Sequence, residues 1–146
     1  MMKAFIQKYN LRPGDRIVTP RSGWRLIQHH AIYWGVDHKG VHWIIENQDN
    51  IGVQIIELQR FVDRVFEVKR IEYFKGNDNQ RRAALTRGEE LLGTKYDLFK
   101  FNCEHFANYL QHGKSYSTQV ENFSGGLRIA ASLTLFFMVI GTLSKN

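Results

Sequence analysis

The chain is poor in several features that mark common protein classes. It has one cysteine, Cys103, among its 146 residues, which excludes an internal disulfide framework and a structural zinc site made of several thiolates. Two prolines exclude a proline-rich linker, and no repeated period indicates a repeat array. The opening residues, MMKAFIQKYNLRPGD, contain no apolar run of signal-peptide length. We therefore expect the main domain to stay on the cytoplasmic side.

The composition is that of a globular domain carrying excess positive charge. Hydrophobic residues make up 43% and charged residues 23% of the chain, and its length suits one ordinary domain. The formal charge of +6 allows attraction to the phosphates of nucleic acid or of anionic lipid. The sequence contains no recognisable nucleic-acid reader motif, so nucleic acid is not expected as a partner. We expect the basic residues of the middle segment to form mostly a solvated face that can attract lipid head groups: Arg64, Lys69, Arg70, Lys75, Arg81, Arg82 and Arg87.

The C-terminal segment differs from the rest of the chain. Residues 129–143 contain no charged side chain, and residues 127–143 carry only Arg128. As a helix these 17 positions span roughly 25 Å, close to the hydrocarbon thickness of a bilayer. A core helix of a soluble domain is the alternative, but the segment lacks a polar stripe. The sequence therefore predicts one globular domain over residues 1–122 and a single-pass C-terminal transmembrane anchor over residues 123–146.

Small residues recur at one spacing where this anchor begins. Gly126, Ala130 and Thr134 lie four residues apart, a pattern that allows two membrane helices to approach closely. Chance explains the same pattern, because small residues are frequent in membrane helices. If the pattern is not due to chance, it predicts a homo-oligomer that forms through the C-terminal helix.

The first 120 residues predict an α+β fold in which an antiparallel sheet is packed against helices. Alternating and β-branched residues indicate strands in the first half, and capping residues with apolar spacing indicate helices in the second half. A short strand is expected directly after LRPGD, and further strands are expected over residues 29–36, 41–48, 52–58 and 65–74. A turn at residues 37–40 joins two of these strands into a hairpin. The expected helices run from an N-cap at Asn77 or Asp78 to Gly93, and from about Asn102 to His112 before Gly113.

Cys103 is the candidate nucleophile. With Phe106, Ala107 and Leu110 it lies on one face of the last predicted helix, and a buried small hydrophobe is the ordinary interpretation of such a cysteine. Asn102, however, is a good N-cap and places Cys103 in the first helical turn. Unpaired N–H groups and the helix dipole favour a thiolate there, and the thiolate is the species that attacks carbonyl carbons.

Such a nucleophile needs an imidazole base and a third group that fixes the imidazole tautomer. His29 and His30 open a predicted strand, and either the base or a solvated edge explains the pair. If Asp37 faces Gly40 across the turn, Ala31 opposes Glu46, and Glu46 then shares a face with His29.

Two other residues compete with Glu46 for the third position. In the same register His42 pairs with Gly35 and lies roughly 20 Å from His29. Asn47 points to the opposite face, and a slip of one residue would exchange Asn47 for Glu46. The predicted hairpin therefore favours Glu46 as the third residue, and Asn47 stays an alternative. His105 is not expected to form a metal site with Cys103, because residues two apart on a helix point in different directions. We expect no metal and no cofactor.

Three segments together resemble the lecithin:retinol acyltransferase-like family, a branch of the NlpC/P60-type, papain-like cysteine enzymes. These segments are LRPGD, HHAIYWG and NCEHFANYL, and the similarity covers about residues 11–120. The resemblance implies a permuted papain-like fold. It also implies a cysteine that attacks an acyl ester of a phospholipid, forms a thioester, and passes the acyl group to water, an amine or an alcohol. By position the nucleophile is Cys103 and the base is His29, not His30.

One departure from the family pattern concerns the third site residue. Family members usually have a second histidine where this chain has Glu46, in the string Ile44-Ile45-Glu46. A carboxylate can orient an imidazole and stabilise its cation, so the chemistry is retained in principle. Members of the family often carry a C-terminal anchor as well. Two other functions remain open: a non-enzymatic membrane protein that assembles into a scaffold or pore, and an amidase or peptidase of the wider group, against which the missing export signal argues.

Overall fold

A computed structural model describes residues 2–21 and 24–126 of the chain. In this part, five strands form an antiparallel sheet in the order β4-β3-β2-β1-β5. The strands are β1 (Arg16–Arg21), β2 (Trp24–Val36), β3 (His42–Gln48), β4 (Gly52–Glu57) and β5 (Arg70–Glu72). The helices are α1 (Met2–Tyr9), α2 (Leu58–Arg64), α3 (Asp78–Glu90) and α4 (Cys103–His112). The predicted α+β class and antiparallel sheet are confirmed.

The sheet is covered by helices on both faces, because its central strands alternate between two apolar clusters. Ala31, Tyr33 and Ile44 pack with Leu58 and Phe61 of α2 on one face, against which residues of α1 also pack. On the other face, buried side chains of β2, β3 and β4 pack with α4: Ile32, Ile45, Val53, Phe106, Ala107 and Leu110. Apolar residues follow one another without alternation at residues 31–34 of β2 and 43–45 of β3, as expected where a strand is buried on both faces.

The β2–β3 hairpin has the predicted register at one end and a different register at the other. Ala31 pairs with Glu46, as predicted, although the turn assumed for this prediction differs from the observed one. The register then shifts between Tyr33 and Gly35, and Gly35 has a φ of +132°, a conformation that a β-bulge can require and that glycine tolerates. His42 consequently pairs with Val36. The predictions that Asp37 faces Gly40 and that His42 pairs with Gly35 were wrong, because Asp37 donates its backbone N–H to Val41. The extra residue in β2 compensates for this offset and restores the pairing of Ala31 with Glu46.

Two further expectations need correction. The predicted strand over residues 65–74 is limited to β5, whose three residues pair with Arg16, Ile17 and Val18 of β1. Helices α1 and α2 were not predicted. The apolar positions Leu58, Phe61 and Val62 are spaced i, i+3, i+4, so the signal for α2 was present but was attributed to the end of a strand.

The boundaries of α3 and α4 follow their capping residues. Asn77 caps α3 and Asn102 caps α4, each in a capping box with the residue three positions on. Gly113 ends α4 in the left-handed conformation, with a φ of +68°, a common helix terminus. The predicted ends of these two helices are accordingly accurate to within a few residues.

A buried carboxylate joins the segment before β1 to α3. Asp15 accepts hydrogen bonds from the backbone N–H of Arg12 and of Phe74, at 2.8 Å and 2.9 Å. It also accepts one from Arg81 Nη1 at 2.8 Å. Within LRPGD, Asp15 therefore has a structural role.

The chain divides into one unit over Met1–Tyr116 and a second over Ser117–Asn146, in which residues 118–126 are helical. Across residues 2–21 and 24–126, no helix is both long enough and apolar enough to cross a membrane. Of the predicted anchor over residues 123–146, residues 123–126 are helical and residues 127–146 lie outside the described residues.

Candidate active site

Cys103 is the first residue of α4 and lies at the N-terminal end of that helix. The side chain of Asn102 accepts hydrogen bonds from the backbone N–H of Glu104 and of His105, at 2.9 Å and 3.0 Å. The thiol is 5% exposed, and its Sγ lies 3.6 Å from the backbone carbonyl oxygen of Gln28. The capping residue thus fixes the cysteine where the positive end of the helix dipole favours a negative charge on sulfur.

His29 connects this cysteine to the sheet. Its Nε2 lies 2.7 Å from Oε2 of Glu46, and its ring is also hydrogen-bonded to Cys103. Because Glu46 occupies Nε2, Nδ1 is the ring nitrogen available to the thiol. The structure therefore brings together all three predicted site residues: Cys103, His29 and Glu46.

The charge state of His29 is governed by these two neighbours. Burial alone lowers the pKa of His29, but the hydrogen bonds to Cys103 and Glu46 outweigh burial and raise the pKa to about 9. His29 is thus an imidazolium at neutral pH. Burial raises the pKa of Glu46, but His29 and Arg64 more than reverse this effect, so that its pKa is lowered from its usual value. The carboxylate is accordingly charged across the physiological range.

Glu46 has more partners than the sequence suggested. Its carboxylate is fully buried, Gln54 Nε2 donates to its Oε1 at 3.0 Å, and the Arg64 guanidinium forms a short ion pair with its Oε2. Phe61 lies close to both Arg64 and His29. Its ring centroid is 5.4 Å from the guanidinium carbon of Arg64 and 6.2 Å from the ring centroid of His29. Arg64 was missed as a site residue because helix α2, which carries it, was not predicted.

A cavity of about 200 Å³ opens beside His29. Its wall contains the ends of β1 and β3, the turn after β3, the end of α2 and Tyr96. Arg21 in this wall is paired with Asp49 and hydrogen-bonded to Tyr96. The pKa of Tyr96 is raised, first by burial and then by the nearby Cys103, so its hydroxyl stays protonated. In its hydrogen bond with Arg21 the guanidinium donates and the hydroxyl oxygen accepts.

The other histidines considered as bases or third members lie elsewhere. His30 is 1% exposed, and burial and Arg16 lower its pKa to about 3, which keeps it neutral. His42 Nδ1 is 2.7 Å from the hydroxyl of Tyr33, beyond the bulge of β2.

Asn47 and His105 are occupied in structural contacts. Asn47 Nδ2 donates to the backbone oxygen of Phe101 at 2.7 Å. His105 Nδ1 accepts from the backbone N–H of Asn102 in the α4 capping box. Within the described ranges, no three His, Cys, Asp or Glu side chains form a group that could hold a metal ion.

The fold and the site together indicate a protein of the class that uses a cysteine as nucleophile. A thiol at a helix N-terminus contacts an imidazolium, and a buried carboxylate fixes the other ring nitrogen. This is an arrangement for nucleophilic attack by sulfur followed by proton transfer from and to imidazole.

Comparison with known proteins agrees with this class. The family model of lecithin retinol acyltransferase matches residues 9–116, and the chain belongs to that family. A curated relative, phospholipase A and acyltransferase 2 of Homo sapiens, is 41% identical over 59 residues. That match covers 39% of this chain and 36% of the human protein, so the chain is matched to about a third of that relative's length.

Proposed function

We propose that the protein is a membrane-anchored thiol acyltransferase or phospholipase A-type enzyme. It takes an acyl group from a phospholipid ester onto Cys103 and passes it to water or to an acceptor amine or alcohol. The observation that carries the proposal is the contact of Cys103 with His29, whose Nε2 lies 2.7 Å from the buried carboxylate of Glu46. Membership of the lecithin retinol acyltransferase family and the name of the human relative support the acyl-ester chemistry.

The first half-reaction loads the enzyme. The Cys103 thiolate attacks the ester carbonyl carbon, a C–S bond forms, and the carbonyl electron pair moves to oxygen. When that pair returns, the ester C–O bond breaks, and the leaving lysophospholipid oxygen takes the proton of the His29 imidazolium. The products are a thioester on Cys103, a neutral His29 and a lysophospholipid.

The second half-reaction unloads it. Neutral His29 takes a proton from water or from the acceptor, whose oxygen or nitrogen attacks the thioester carbonyl carbon. The C–S bond breaks, sulfur leaves as a thiolate, and His29 is again an imidazolium. Glu46 stays ionised in both halves, holds Nε2 and stabilises the cation.

The proposed anchor is residues 129–143, with the substrate taken from the same bilayer. A tethered enzyme meets a lipid substrate that is concentrated in the membrane plane. Burying the apolar segment retains the protein there.

An acyl adduct on Cys103 tests the proposal. The full-length protein, incubated with a mixed phospholipid extract, should gain one fatty-acyl mass that hydroxylamine removes. Cys103→Ser should gain no hydroxylamine-labile mass. His29→Ala should slow acylation by about 10²- to 10⁴-fold, the usual effect of losing a general acid–base group.

His30→Ala is the matched control, because the neighbouring imidazole lies outside the thiol–carboxylate arrangement. It should leave acylation within a few-fold of wild type. An essential His30 with a dispensable His29 would contradict the assignment of the base. If Cys103→Ala leaves the protein's biological effect intact, a non-enzymatic membrane role would replace the enzyme.

A further inference from the structure

Four exposed apolar side chains lie one to three positions in sequence from residues that line the cavity beside His29. Phe66 is 95% exposed, Ile51 60%, Phe99 57% and Leu98 50%. Single exposed apolar residues are ordinary on a soluble protein. These four differ because each lies in a segment that forms the cavity wall, and those segments come from three separate parts of the chain.

The sheet topology places these segments at one end. Residues 49–51 connect β3 to β4 and follow Gln48, the last residue of β3, so Ile51 lies next to the cavity residue Asn50. Val65 caps the C-terminus of α2 and lines the cavity, and Phe66 follows it directly. Both apolar side chains therefore lie at the end of the sheet where the cavity opens.

The loop that carries the other two is fixed to the same end. Asp97 and Phe101 exchange two backbone hydrogen bonds, at 2.9 Å and 3.1 Å, and so close the turn that holds Leu98 and Phe99. The Phe101 carbonyl accepts from Asn47 at the end of β3, and Tyr96 forms part of the cavity wall. The exposure of the two apolar side chains is thus held by a closed, hydrogen-bonded turn.

Charge next to this rim selects the kind of partner. The exposed Lys95 and Lys100 flank Leu98 and Phe99, and the exposed Lys69 and Arg70 follow Phe66. The same two segments also hold the exposed acidic residues Glu67 and Asp97, so basic side chains exceed acidic ones there. Exposed apolar tips next to basic side chains match a membrane interface, in which anionic head groups lie above acyl chains.

We propose that the rim formed by Ile51, Phe66, Leu98 and Phe99 docks onto an anionic phospholipid bilayer, with the cavity opening facing the membrane. This inference rests on the proposed function, in which the ester bond lies near the acyl-chain boundary. Docking in this orientation lets a lipid enter the cavity without leaving the bilayer completely. Tethering by residues 129–143 would hold the protein on the membrane, and docking of the rim would in addition fix the orientation of the catalytic domain.

Site-specific labelling separates the rim from the tether. Since Cys103 is the chain's one cysteine, Cys103→Ser allows a single new cysteine to carry an environment-sensitive fluorophore. One full-length protein has Cys103→Ser with Phe66→Cys, and the matched control has Cys103→Ser with Val36→Cys. Val36 is 57% exposed and ends β2 at the opposite end of the sheet from the cavity.

With vesicles of phosphatidylcholine and phosphatidylserine at 3:1, the label at position 66 should shift to the blue and be quenched by brominated acyl chains. The label at position 36 should do neither. Equal responses at the two positions, or no response at position 66, would overturn the proposal, whether or not the tail holds the protein on the vesicle. A response at position 66 to an added soluble protein but not to vesicles would identify a protein partner and also overturn it.

A second variant measures the consequence for turnover with Cys103 in place. Phe66→Ser should lower the acylation rate on the same vesicles by about tenfold, the order expected when one aromatic contact with an apolar phase is lost. Its rate with a monomeric short-chain ester should match that of wild type. Equal loss on both substrates would contradict docking, whereas absence of any Cys103 adduct on the monomeric ester in wild type would contradict the proposed chemistry alone.

Discussion

At the scale of single residues, the site depends on one buried negative charge. The carboxylate of Glu46 receives hydrogen bonds from Gln54 and Arg64 in addition to the contact with His29. An isolated buried carboxylate would be protonated or destabilising, and these donors keep it ionised. An ionised group in this position in turn keeps His29 positively charged beside the thiol.

Glu46→Gln should therefore reduce the rate of Cys103 acylation by about 10²- to 10⁴-fold. It should also change the pH profile. His29 must be protonated to release the leaving group, so the alkaline limb of the wild-type profile should lie near its pKa of about 9. Removing the negative neighbour lowers the pKa of His29, and the alkaline limb should move to lower pH.

Acylation rates measured by intact mass from pH 5 to 10 test this shift. The control is His42→Ala, which removes an imidazole that contacts Tyr33 and should leave the alkaline limb in place. A loss of activity as large in His42→Ala as in Glu46→Gln would show that Glu46 has no special role. Thermal melts of both variants separate this result from unfolding.

At the scale of secondary-structure elements, the N-terminus of α4 places the nucleophile. Asn102 caps the helix through two backbone N–H groups, and its Nδ2 donates to the Leu98 carbonyl at 3.0 Å. The capping side chain therefore also ties the helix start to the preceding loop. Both interactions act on the residue immediately before Cys103.

Asn102→Ala should lower the free energy of unfolding by about 1 kcal/mol, as is typical when a capping side chain is lost. It should lower the acylation rate as well, because the first turn of α4 would no longer be fixed next to His29. Chemical denaturation and the adduct assay measure the two effects.

The matched control is Asn77→Ala, which removes the same kind of capping box from α3. It should cost a similar amount of stability without altering acylation. Equal acylation by both variants would mean that the cap stabilises the fold only.

The features of the fold and site that could be predicted from the sequence are those determined by contacts between residues close in the chain. The caps at Asn77 and Asn102 follow from capping residues close in sequence. The pairing of Ala31 with Glu46 was predicted from a turn register that the structure does not have, and the bulge in β2 restores it. The Arg64–Glu46 pair joins residues 18 positions apart through a helix whose short apolar pattern resembled the end of a strand. The bulge in β2 adds one residue to one strand of the pair, which a period-2 sequence pattern does not reveal.

At the scale of the whole molecule, the predicted C-terminal anchor remains a prediction from the sequence. Gly126 is described at the end of a helical stretch, whereas Ala130 and Thr134 lie outside the described residues. The kinship with NlpC/P60-type enzymes likewise remains a prediction. The spacing of the three small residues still defines a testable helix–helix interface.

Protein purified in detergent should form a homo-oligomer, and a variant lacking residues 127–146 should be a monomer without detergent. Replacing Gly126 and Ala130 with Leu should keep the segment in the membrane and prevent close approach of two helices. Light scattering of the three proteins gives the masses. An oligomer that survives the double substitution would exclude this interface.

The bulge in β2 has a consequence for how the protein can change. The extra residue at position 34 separates the hairpin into two parts, with Ala31–Glu46 in one frame and Val36–His42 in a frame offset by one residue. Lengthening or shortening the turn at residues 37–41 alters the second frame, while the first remains anchored by its own ladder to β1 and β4. We therefore expect the hairpin tip to accept an inserted segment, such as a tag, without reorienting His29 or Glu46.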